Sequence, residues 1–159
     1  MATKSKISEK ESNAHTELTV TIRAQPRKVW KALITDTSRW WPKEFFANPD
    51  SKGMVIEPRV GGRMFEDAGD GAGVLWGIIN VFDPPRGLDI VGFLSPAFGG
   101  PATTMIQITL QESGLGTLLQ LSDHTWGPIA PGLKKSLLEG WRALIADSLA
   151  PFVETASAK

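Results

Sequence analysis

Residues 132–149 read GLKKSLLEGWRALIADSL, and their spacing decides the fold. Leu133, Leu137, Leu138, Trp141, Leu144, Ile145 and Leu149 recur at intervals of three and four, which predicts a helix with one wide apolar face. At ~1.5 Å per residue it is about 27 Å long, enough to cross several strands. Burying large apolar side chains contributes ~1.5–3 kcal/mol each, so this face is worth on the order of 10–20 kcal/mol as an upper bound. Pro151 is expected to end or kink the helix.

At ~100° per residue, Lys134 and Ser148 fall within the apolar arc. Two readings stand for each. Lys134 either lays its stem over apolar surface while its amine reaches water, or meets an acidic group on a ligand. Ser148 either bonds back to a carbonyl one turn earlier or contacts a ligand. Gly140 costs ~1 kcal/mol relative to Ala inside a helix, so either a strand backbone approaches closely there or a notch is left open.

Upstream of this helix the chain reads mostly as strands. From Glu17 to Arg23, Leu18, Val20 and Ile22 alternate with Thr19 and Thr21, the pattern of a half-buried strand. Pro26 suits the first turn of a short helix carrying Val29, Trp30, Leu33 and Ile34. Ser38 is expected to cap a second helical turn bearing Trp40 and Trp41, stopped by Pro42. Residues 43–52 read as a loop, with Phe45 and Phe46 turned toward something apolar. Strands are expected over 63–68, 74–82, 88–94, 103–111 and 117–126, divided by Gly-, Pro- and Asp-rich turns. Connections this short imply antiparallel pairing. The fold class is therefore α+β, a curled antiparallel sheet holding a long C-terminal helix on its concave side.

Composition excludes several functions. The chain of 159 residues suits one domain, and its 42% hydrophobic content is that of a globular protein. Lys plus Arg equal Asp plus Glu at 17 each, so neither nucleic acid nor an anionic membrane is an expected partner. With no cysteine there is no thiol nucleophile, disulfide or thiolate metal site. Residues 1–14 are polar, are expected to form a disordered leader, and lack the apolar core of a signal peptide. The expected arrangement is one domain over residues 15–155 in the cytoplasm, as a monomer or homodimer.

Several segments in this order resemble the START-like, helix-grip superfamily (SRPBCC), and within it the family related to the activator of the ninety-kilodalton heat-shock chaperone ATPase. They are IRAQPRKVWKAL at 22–33, Trp40 or Trp41, PRVGGR at 58–63, Gly77 through DPPRGL at 83–88, Gly116-Thr117, and Gly140-Trp141. The resemblance covers roughly residues 16–154. It implies the helix-grip fold and a pocket between sheet and helix that takes apolar molecules. It also raises a chaperone as a partner, although the eukaryotic activators bind with an additional N-terminal domain. Similar bacterial sequences often carry a His where this chain has Asp123; His124, one place on, faces the other side of its strand.

No catalytic constellation stands out. His15 reads as an exposed residue at the leader's edge, and His124 as a residue of the outer sheet face. Two histidines with scattered carboxylates do not make a metal site. The glycines at 69, 71 and 73 lack the Gly-Lys-Ser/Thr ending of a phosphate loop and read as a hairpin turn. The expected ligand-contacting residues are Trp40, Trp41, Asp123, Lys134, Leu138, Trp141, Ile145 and Ser148, with no cofactor and no metal. The leading expectation is a non-catalytic binder of small apolar ligands. The alternatives are a co-chaperone-like interaction domain and a polyketide-cyclase-like enzyme using Asp123 as acid or base.

Overall fold

The structure, a computed structural model, describes residues 13–157. Strand β1 (Asn13–Ile22) leads to helix α1 (Pro26–Ile34) and helix α2 (Thr37–Trp40). Then come β2 (Gly53–Ile56), β3 (Arg63–Gly69), β4 (Ala72–Asp83), β5 (Gly87–Leu94), β6 (Ala102–Ser113) and β7 (Gly116–Trp126). Helix α3 (Leu133–Leu144) passes through a π turn (Ile145–Leu149) into α4 (Ala150–Ser157). The strands form one antiparallel sheet of seven, in the order β1-β7-β6-β5-β4-β3-β2. The α+β expectation and the meander are what the chain forms.

Alternation assigns the faces. The inward row of the central strands is Leu88 and Ile90 on β5, Ile106, Ile108 and Leu110 on β6, and Leu119 and Leu121 on β7. Ile145 and Leu149 from the helical segment complete this core, at 1% and 0% exposure. Among the described residues, no helix is long and apolar enough to cross a membrane.

Four local expectations are corrected. β1 begins at Asn13, so Asn13 and Ala14, assigned to the leader, pair with Trp126 and Thr125. The inward side chains there are Ala14 and Thr16, too small and too polar to mark a strand by hydrophobic alternation. Residues 1–12 lie outside the described residues. Second, Ser38 does not cap α2: it lies inside the helix, and its hydroxyl donates to the Met54 carbonyl at 2.8 Å, tying α2 to β2. Third, Pro151 neither ends nor breaks the terminal helix. The turn before it widens, with Ala150 N–H reaching back to the Ile145 carbonyl, and the helix resumes. Such an insertion lets the ladder continue past a residue that cannot donate. Fourth, His15 is exposed as expected but stands within β1, where its ring stacks on His124, its cross-strand partner, with centroids 3.7 Å apart on the outer face.

Glu66 organises the long connection before β2. It is fully buried on β3. Its carboxylate accepts from the N–H groups of Ala47 (2.8 Å) and Asn48 (3.0 Å), the Ser51 hydroxyl (2.7 Å) and the Trp76 indole (3.0 Å). Burial pushes this carboxyl up, and the four donated hydrogen bonds outweigh it, so its pKa is lowered from the ordinary 4.5. The connection is thereby pinned over the sheet edge.

Two stability measurements follow. Ile145→Ala should cost about 2–5 kcal/mol in urea unfolding, whereas Leu138→Ala, at a residue 41% exposed, should stay within about 0.5 kcal/mol. Equal losses would mean that the sheet does not grip this helix as described. Glu66→Gln strands buried donors and should cost about 1–3 kcal/mol at neutral pH. Because the folded-state pKa lies below the unfolded value, this stabilisation is present above pH 4.5 and is lost as pH falls through the folded-state pKa. The gap between wild type and Glu66→Gln should therefore close under acid; a gap independent of pH would contradict it.

Candidate functional site

A cavity of about 250 Å³ lies between the concave sheet and α3. Its helical wall is Ser136, Leu137, Gly140, Trp141 and Leu144, residues that share one helix face by their spacing. Met64, Thr104, Ile106 and Asp123 line it from the strands. Trp41 and Phe45, from the segment after α2, close it from the side. Gly140 leaves a true notch: a Cβ built there would meet only the edge of Phe45, at 3.9 Å, and no strand backbone.

Trp76 reaches this cavity through a fault in the sheet. Met64 pairs with Gly77, but Phe65 pairs with Leu75, so Trp76 is an extra residue opposite a continuous β3. A β-bulge of this kind re-aims a side chain. Gly77 faces the buried side and Leu75 is exposed, and Trp76 between them bonds the buried Glu66 and lines the cavity. Strict alternation places it on the outer face.

Asp123 is the polar centre of the site. Its position two residues from Leu121 puts it on the inward face of β7, where it is 2% exposed. The Thr104 hydroxyl donates to Oδ1, the Thr125 hydroxyl donates to Oδ1 at 3.1 Å, and the Trp141 indole N–H donates to Oδ2 at 2.8 Å. All three donors are neutral. Among the described residues no Lys, Arg or His forms an ion pair with it, and none lines the cavity. A second polar irregularity lies alongside. The Trp41 indole N–H is buried and has no hydrogen-bond partner, an uncommon condition for a buried donor.

Of the residues expected to contact a ligand, Trp41, Asp123 and Trp141 share this cavity. Trp40 and Ile145 do not line it; they border a much smaller void of about 20 Å³ beneath, together with Trp41 and Trp141. Trp40 is core, with its indole donating to the Ala32 carbonyl at 2.8 Å. Lys134 and Leu138 are exposed and stand off the cavity. The helical wheel supplies the reason: the cavity-facing arc is centred between Gly140 and Leu144, and at ~100° per residue Lys134 and Leu138 sit about 90° and 130° from that centre. Ser148 falls inside the π turn, where the helical phase no longer holds, and it too is off the cavity. Sequence reasoning misses Phe45, Met64, Trp76, Thr104 and Ile106 as site residues. For Thr104 the in-phase alternation with Ile106 and Ile108 is a usable signal; for Trp76 none exists.

Neither a protein-family model nor a curated protein sequence matches the chain. Solved structures do. Ara h 8.0201 superposes with a TM-score of 0.68 at 16% identity, over 90% of this chain and 99% of its own. The AHSA1-like protein from Aeromonas hydrophila gives 0.63 at 21% identity, over 91% and 95%. A protein from Chromobacterium violaceum gives 0.64 at 20% identity, over 88% and 96%. At these identities the likeness is one of fold, and with the curved sheet, the long terminal helix and the cavity between them it shows that the chain has the helix-grip fold.

Proposed function

We propose that the domain binds a small, largely apolar molecule in the cavity between the sheet and α3. The observation that carries this reading is the open notch at Gly140 on the wall of an aromatic-lined chamber. Helix interiors favour Ala over Gly by ~1 kcal/mol, and packing does not require Gly here, since nothing but the Phe45 edge stands within 4 Å. The missing side chain leaves volume. Trp41, Phe45, Trp76 and Trp141 supply broad apolar faces around that volume, with a small number of polar groups to orient what enters, the usual make-up of a ligand pocket.

A neutral apolar dye such as N-phenylnaphthylamine should bind at micromolar concentration and quench tryptophan fluorescence. It should also raise the melting temperature, since a ligand at a hundred times its Kd adds about 2.7 kcal/mol to a folded state it binds selectively. Gly140→Leu should remain folded, gain helix stability and lose the dye. Dye binding that is unchanged in that variant would place the ligand elsewhere and overturn the proposal.

A further inference from the structure

We propose that Asp123 selects the ligand, and that the molecule taken into the cavity has an apolar ring body bearing a protonated amine. This rests on the cavity being a ligand site and adds the chemical class of its occupant.

The argument begins with the valence of the carboxylate. Two oxygens offer about four acceptor sites, and three are taken: two on Oδ1 by Thr104 and Thr125, and one on Oδ2 by Trp141. Oδ2 retains one, on a residue that lines the cavity. The charge is equally incomplete. Neutral donors orient an anion and relieve part of its desolvation, but they do not cancel its charge, and a buried charge is ordinarily paired. Lys134, the nearest candidate in sequence terms, is exposed and off the cavity. A ligand ammonium supplies both missing elements, a donor for Oδ2 and an opposite charge in a poorly solvated chamber, where such hydrogen bonds are roughly twice as strong as neutral ones.

The walls favour the same sign. The faces of Trp41, Trp76 and Trp141 carry negative electrostatic potential and attract cations. An anionic ligand, by contrast, would set two like charges together where water screens them poorly. A neutral alcohol would fill the acceptor site and leave the charge uncompensated. The order of preference is therefore amine, alcohol, carboxylate on any one ring system.

Naphthylmethylamine, naphthylmethanol and naphthoate differ only at the head group, and calorimetric titration at neutral pH ranks them. The amine should bind at least about tenfold tighter than the alcohol, with the carboxylate weakest. Asp123→Asn should weaken the amine far more than the alcohol and bring the two within about twofold of each other. Binding by none of the three would defeat the cavity reading and this inference together. Alcohol binding as tight as the amine's, or an amine preference that survives Asp123→Asn, would defeat this inference alone. Should Asp123→Asn fail to fold, the wild-type Trp141 indole N–H resonance decides, because that N–H is bonded to the same carboxylate. The amine must displace it further than the alcohol does, and equal displacement overturns the proposal.

Discussion

A sheet of seven strands presents more apolar surface on its concave side than a single helix can cover, and the rest of the structure answers that mismatch. The inward residues of β5, β6 and β7 are buried against the lower part of the terminal helix, around Ile145 and Leu149, where contact is close. Along α3 itself, before the π turn, the helix face includes Gly140, and contact opens into the cavity. The π turn sits at the tight end. It lets the chain carry Pro151 without breaking the helix, so α4 continues onto α1 and β1 and anchors the helix from below. Grip at one end and space at the other come from the same element.

Two carboxylates hold the aromatic walls in place. Trp76 donates to Glu66 and Trp141 donates to Asp123, so two of the large rings bordering the cavity have their indole N–H groups tethered. A tethered ring loses less freedom when a ligand arrives, which is the basis of preorganised binding. The carboxylates differ in how completely they are used. Glu66 accepts four hydrogen bonds, two from backbone N–H groups, and serves to fasten a loop. Asp123 accepts three and keeps a place for a fourth.

The architecture was legible because it depends on periodicity. Spacing of three and four located the terminal helix, spacing of two located the strands, and short turns required antiparallel neighbours. Asp123 lies inward by its phase with Leu119 and Leu121. What the pattern did not carry is everything that departs from a fixed period. The bulge at Trp76 inverts its face without any local signature in Leu75-Trp76-Gly77. The choice among Lys134, Leu138 and Gly140 as cavity residues turned on the direction of the arc's centre, and a wheel drawn from the apolar residues alone places that centre too far toward Lys134. Leu138 is exposed although its chemistry says core. The start of β1 was hidden because Ala14 and Thr16 bury without being large or markedly apolar.

Three features that are unfavourable for stability belong to residues around the cavity. Gly140 in mid-helix costs ~1 kcal/mol against Ala, and the buried, unpartnered indole of Trp41 costs about 1–3 kcal/mol more. Asp123 places a carboxylate among neutral donors, where an apolar residue of similar volume is often as stable or more so. Each is unfavourable for stability alone, and all three border one cavity. Elsewhere the other large buried residues are apolar and Glu66 is fully bonded, while the small hydroxyls of Thr16 and Ser157 lack partners as the Trp41 indole does. Three such features on the residues around one cavity support the reading that something other than stability has shaped them. A cavity formed merely by imperfect packing would be lined by apolar groups short of neighbours. This one is also bordered by a carboxylate with room for a further donor, and that unmet group is what supports reading it as a site.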